Sequence, residues 1–188
     1  MKKRFLITLT GPSGVGKGYL KKCLKAYFEL EEPSVYTTRQ KRKEDEKGER
    51  MFLAKEEFSR KLANKELIFV NEFYGNLYGF ALNAFRNVKD RGVITEIHID
   101  NVEEFRKKYP KAVMVALLTD DIGFLEYRLK ERAESSEELG KRLKEARDEL
   151  KKSKSMKDKF DFIYNVNYRN EDKIVNTVIK YIKRKLKC

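Results

Sequence analysis

Cysteine is scarce in this 188-residue chain: there are two, Cys23 inside a helical pattern and Cys188 at the last position. That excludes a disulfide framework and a cysteine-ligated metal site, and both are expected to be free thiols in a reducing compartment. Long apolar runs are missing too. No stretch approaches the roughly 18 unbroken apolar residues that cross a bilayer, and Phe5 to Thr8 is too short for the hydrophobic part of a secretory signal. The expectation is a soluble, cytoplasmic protein with no membrane partner. Internal repeats and long linkers are absent as well, and this length suffices to bury one core, so a single domain over residues 1–188 is expected.

What is abundant is charge: 43 Lys and Arg against 30 Asp and Glu, a formal +13. An excess of this size suggests nucleic acid or an anionic surface as a partner. The distribution argues otherwise. Outside Lys151 to Lys159 and the tail from Lys180 to Lys187, basic residues are interleaved with acidic ones, the pattern of solvated helix faces. Nucleic acid is therefore not the expected partner.

Arg4 to Thr10 is a short run rich in β-branched residues, closed by Gly11 and Pro12, and reads as a buried strand. Leu20, Leu24, Tyr27 and Phe28 then recur at helical spacing. Strands follow over Glu66 to Phe73, Gly92 to Ile97, Ala112 to Leu118 and Phe160 to Val166. Helices are expected over Val102 to Lys108, Ile122 to Arg132, Ser136 to Ser153 and Glu171 to Leu186, the last with Ile174, Val175, Val178, Ile179 and Ile182 on its packed side. This alternation predicts an α/β fold built on a mainly parallel sheet. Two polar stretches interrupt it, Gln40 to Glu49 and Glu131 to Glu138. Both are expected to be solvated, as closing elements in a phosphate-transfer enzyme or as ordinary surface in any other protein.

The segment Gly11-Pro12-Ser13-Gly14-Val15-Gly16-Lys17 fits G-x-x-x-x-G-K, directly after a strand and directly before a helix. The mechanism of a phosphate-binding loop requires that placement. Glycines let the main chain approach a phosphate without a Cβ clash, backbone N–H groups at the helix start point at its oxygens, and Lys17 adds a compact positive charge. Residues Gly11 through Gly18 are thus the candidate ATP-binding set. Gly18 breaks the pattern: a Ser or Thr there would place a hydroxyl on Mg²⁺. The ion can instead be held by the nucleotide phosphates, several waters and one carboxylate, so Mg²⁺ with ATP is still expected.

The loop, followed by Thr37-Thr38-Arg39 with Arg42 three residues on, then Phe73-Tyr74-Gly75-Asn76-Leu77-Tyr78-Gly79, then Arg128-Leu129 with Arg132, and Arg142-Leu143, resembles the guanylate kinase family of P-loop nucleoside monophosphate kinases. The resemblance runs from about Phe5 to Val166. It implies a three-layer P-loop core (residues 1–33, 81–130 and 146–188), a small monophosphate-binding insert near 34–80, and a short lid near 131–145. By register it implies Arg39 and Arg42 on the acceptor phosphate, Arg132 and Arg142 with Lys17 as catalytic cations, and Tyr78 beside the acceptor base, with Glu72 also matching. Fixed cations converging on a transferring phosphoryl group are what such chemistry needs, and the planar fork of Arg suits phosphate oxygens. Glu96, at the end of a strand, is the candidate to hold Mg²⁺ through water, and His98, the only histidine, is a candidate acceptor contact.

The pattern departs from the family where the base is read. The family's guanine-reading glutamate falls on Phe69, its small hydroxyl residue on Phe80, its acceptor-phosphate tyrosine on Met51 and the serine near Val35. The leading expectation is transfer of the ATP γ-phosphoryl to GMP or a related nucleoside monophosphate. Two alternatives stand beside it: a kinase for a sugar phosphate such as ribose 1,5-bisphosphate, and a non-catalytic phospholigand-binding module.

Overall fold

In chain order the elements are β1 (Leu6–Thr10), α1 (Lys17–Phe28), β2 (Val35–Thr37), β3 (Arg50–Phe52), α2 (Lys55–Ala63), β4 (Leu67–Phe73), β5 (Asn76–Ala81), β6 (Val93–Glu96), α3 (Val102–Lys108), β7 (Val113–Leu118), α4 (Ile122–Lys130), α5 (Ser136–Ser155), β8 (Phe162–Asn165) and α6 (Ile174–Lys187). They are taken from a computed structural model in which residues 5–41, 50–73, 75–85, 92–130 and 135–187 are described. Arg42, Arg132 and most of the two polar stretches lie outside the described residues.

One sheet has the order β6-β1-β7-β8, and each neighbouring pair is parallel. All six residues of β7 are buried, as expected for a parallel strand covered on both faces. Helices α1 and α6 pack together and α5 packs on α4 and β7. On α6, Ile174, Val178 and Ile182 are buried and Val175 and Ile179 pack against the core, so the expected apolar side is the docked one. Leaving β1, the chain returns to its one side as β6 and later to its other side as β7. That reversal opens a crevice outside the strands' carboxyl ends, the usual ligand position in open α/β sheets. Thr10 Oγ1 donates to the Ile97 carbonyl at 2.9 Å, tying the ends of β1 and β6 at its rim.

The other sheet is mixed, with the order β3-β2-β5-β4. Strands β2 and β3 are parallel, whereas β5 runs antiparallel to both β2 and β4. None of β2, β3, α2 and β5 is expected from the sequence pattern. The first two are three residues long, too short for a period to show. Between Ile68 and Asn71, β4 advances three residues while β5 advances two, from Phe80 to Tyr78. This bulge puts Phe69 at φ 51°, an outlier for a bulky side chain that holds only where packing fixes it. The packing is present: the Phe69 ring lies 4.9 Å from Phe105 and 6.0 Å from Phe85, centroid to centroid. Opposite the bulge, a Cβ on Gly79 would lie 3.0 Å from Val70 Cγ2.

Candidate active site

A cleft of about 240 Å³ lies between the phosphate loop, β4 and β5, the end of β6, and α5. The loop is fixed by backbone geometry. Gly11 has φ 144°, and a Cβ there would stand 2.1 Å from the Leu117 carbonyl oxygen of β7, so no other residue fits. Gly14 and Gly16 also have positive φ, at 85° and 102°. Gly16 caps α1, whose first turn has neither a side-chain cap nor an acidic residue. Its N–H groups are thus open to an anion. Lys17 Nζ folds onto the loop, donating to the carbonyls of Gly11 and, at 3.0 Å, Pro12, while Ser13 and Lys17 both line the cleft. At Gly18 the space is open: a Cβ would meet nothing within 4 Å, so packing does not require glycine there.

Of the other residues singled out by sequence, Arg39, Tyr78, Glu96, His98 and Arg142 line the same cleft. Arg39 lies over the Phe52 ring at 5.4 Å and donates to the Gln40 carbonyl at 2.7 Å. Arg142 is buried, and its Nε donates to Glu138 Oε1 at 3.0 Å. Glu72 is placed elsewhere: it is exposed on β4 and absent from the lining, because strand alternation turns it away from the side that presents Asn71 and Phe73. The positions that carry Phe69, Phe80 and Val35 also line the cleft, and Phe69 and Phe80 are buried.

Charge in the cleft is arranged in pairs. Lys21 reaches Glu32 at 2.5 Å and Glu96 at 3.2 Å. Burial works against the Lys21 charge, but Glu96 and Glu32 outweigh it and hold its pKa up. Burial likewise opposes the Glu96 charge, and Lys21 with Lys17 overcomes it, keeping the carboxylate ionised. His98 is pushed down, first by burial, with Asp100 opposing. Its Nδ1 lies 3.3 Å from both the Asp100 backbone nitrogen and Asp100 Oδ2, and the lowered pKa favours the neutral ring at neutral pH.

The least expected group is Glu149. It is 8% exposed, lines the cleft from α5, and has its pKa raised to about 7, chiefly by burial, with Asp100, Glu96 and Glu145 adding and Lys17 opposing. It falls inside the helix expected over Ser136 to Ser153 and is not among the residues expected at the site. The signal was there: Arg142 and Glu149 fall in one stripe with Leu143, Ala146 and Leu150, and a charge inside an apolar helical stripe marks a site. Lys21, Arg50, Asn71 and Asn101 were also passed over, because each stands alone in sequence and only the fold gathers them.

The guanylate kinase family profile matches residues 2–185. A guanylate kinase from Lactobacillus delbrueckii subsp. bulgaricus is 34% identical over 154 residues, covering 79% of this chain and 76% of its own. One from a Synechococcus species is 37% identical over 150 residues, covering 77% and 82%. The crystal structure of guanylate kinase from Anaplasma phagocytophilum shares the fold at TM-score 0.71 and 22% identity, over 99% of this chain and 88% of that one. Neither the sugar-phosphate kinase nor the non-catalytic module finds support in these likenesses. With a family match over almost the whole length and curated relatives above 30% identity, the chain belongs to the guanylate kinase family.

Proposed function

We propose that this chain transfers the γ-phosphoryl group of ATP to the phosphate of GMP. The observation that carries this reading is a single cleft lined by Ser13 and Lys17 of the phosphate loop, Arg39 just past β2, Tyr78 of β5, and Arg142 of α5. Loop N–H groups and Lys17 hold the ATP phosphates, and Arg39 holds the acceptor phosphate from the other side. Arg142 meets the charge that spreads over the transferring group, where preorganised cations lower the barrier. Tyr78 packs beside the acceptor base. Arg42 and Arg132 join Arg39 and Arg142 in the same roles by family register. Division into a core, an acceptor-binding insert over about 34–80 and a lid over about 131–145 belongs to this reading, as does a cytoplasmic location. Among the described residues no helix is long and apolar enough to cross a membrane.

The donor set suits a Mg²⁺ ion held mainly by phosphates and water. Glu96 stays ionised, Gly18 offers no hydroxyl, and no cluster of three His, Cys, Asp or Glu side chains stands among the described residues. Mg²⁺ commonly keeps several waters and one or two carboxylates. When bound it neutralises phosphate charge, and Glu96 is the residue to orient its water shell. The test is ADP release with ATP, Mg²⁺ and GMP. GMP-dependent release is expected, falling by about three orders of magnitude or more in Lys17→Ala with the fold retained. No release with GMP would overturn the proposal.

A further inference from the structure

The half of the cleft remote from the phosphate loop is formed by β4 and the turn after β6, which pack on one another. Asn101, in that turn, is only 7% exposed yet lines the cleft, and its amide makes no hydrogen bond to any described residue. Its polar atoms are not among the buried unpartnered ones, so the unused hydrogen-bonding capacity faces the cleft. Asn71 lines the cleft from β4, just past the bulge, and its amide is likewise without a hydrogen bond among the described residues. Water can therefore reach both amides in the free cleft, and each keeps a donor and an acceptor available to a bound ligand.

No carboxylate stands with them. The three acids that line the cleft are Glu32 and Glu96, both paired with Lys21, and Glu149 on α5. His98 Nδ1 is engaged by Asp100. Beside the apolar wall of Phe69 and Phe80 the lining offers two neutral amides, with the Thr95 hydroxyl as a further neutral group. A carboxylate only accepts hydrogen bonds, so it selects a base edge that donates. An amide carries a donor and an acceptor side by side, and a half turn about its last bond reverses their order. In one setting it matches the O6 and N1–H edge of guanine, and in the other the N6–H and N1 edge of adenine.

We propose that Asn71 and Asn101 read the acceptor base, so that the site takes purine nucleoside monophosphates as a class and separates GMP from AMP only weakly. This rests on the phosphotransfer proposed above.

The test is kcat/KM for GMP and for AMP, in the wild type and in Asn101→Asp and Asn101→Ala, with thermal melts to establish folding. A wild-type ratio of GMP to AMP below about 100 is expected, since a site built to reject an edge discriminates by far more. Asn101→Asp should raise that ratio at least tenfold by losing AMP, and Asn101→Ala should lower both values at least tenfold. A wild-type ratio of 100 or more, or a ratio unmoved by Asn101→Asp, overturns the base reading. Should the Asn101 variants fail to fold, Asn71→Asp is held to the same criterion. Absence of turnover with GMP would instead overturn the phosphotransfer, so the two failures are distinct.

Discussion

The phosphate loop and the acceptor wall face each other across one cleft and are built on opposite principles. The loop is defined by backbone: Gly11 is forced by the Leu117 carbonyl, Gly14 and Gly16 by their dihedrals, and the open N–H groups of α1 supply the binding capacity. The wall is defined by side chains that are also core, with Phe69 and Phe80 joined to Phe85, Phe105 and Tyr109. The shape of the phosphate cradle is therefore set by main chain, with Lys17 as the side chain it adds. Base handling can be rewritten wherever the core accepts a new ring.

Five substitutions can break or sharpen this contrast. Phe69→Ala should lower stability by about 4 kcal/mol in chemical denaturation, the range for truncating a fully packed ring, while Lys17→Ala shifts it by less than about 1. Equal losses would erase the distinction between wall and loop. Gly11→Ala should cost about 3 kcal/mol and weaken ATP binding in the same variant, because the new methyl meets backbone that cannot give way. Glu149→Gln should change the pH dependence of stability. In the folded chain this carboxyl keeps its proton to about pH 7, against 4.5 ordinarily. Between those values the folded form holds a proton that the unfolded form has released. Its contribution is thus fully present below pH 4.5 and is lost as the pH rises through 7. At pH 8 the Gln variant should be more stable than the wild type by up to about 3 kcal/mol, with the gain shrinking toward pH 5, as urea titrations at the two pH values would show. Smallest is Gly18→Ser: the site has room, and replacing a helical glycine should add about 0.5 kcal/mol while lowering the Mg²⁺ needed for half-maximal turnover several-fold.

The parallel sheet was legible because its strands are continuous apolar runs bounded by glycine or polar turns, and β7 is the plainest case. Helix α5 was legible in extent, and the structure caps it at Ser135, whose hydroxyl accepts the Glu138 N–H at 3.1 Å. The second sheet was not. Three-residue strands carry no measurable period, and the bulge at Phe69 breaks the alternation of β4 where alternation would have been read. In the site, residues held by motif spacing could be named in advance, such as Lys17, Arg39 and Tyr78. Asn71, Asn101 and Lys21 could not, since what distinguishes each is its place in the folded cleft, which is not written in local sequence, whereas Glu149 is marked by its position in the apolar stripe of α5. Glu72 shows the converse: family register names it, and strand geometry turns it outward.

Arg142 and Glu149 stand seven residues apart on α5, which is two helical turns, about 10 Å along one face. The helix thus works as a ruler with a cation at one mark and a proton-holding acid at the other. Their shared direction depends on that spacing: one residue inserted between them would swing Glu149 about 100° out of the cleft while leaving Arg142 in place. Spacing along α5, as much as side-chain identity, is the quantity that variation in this helix has to preserve.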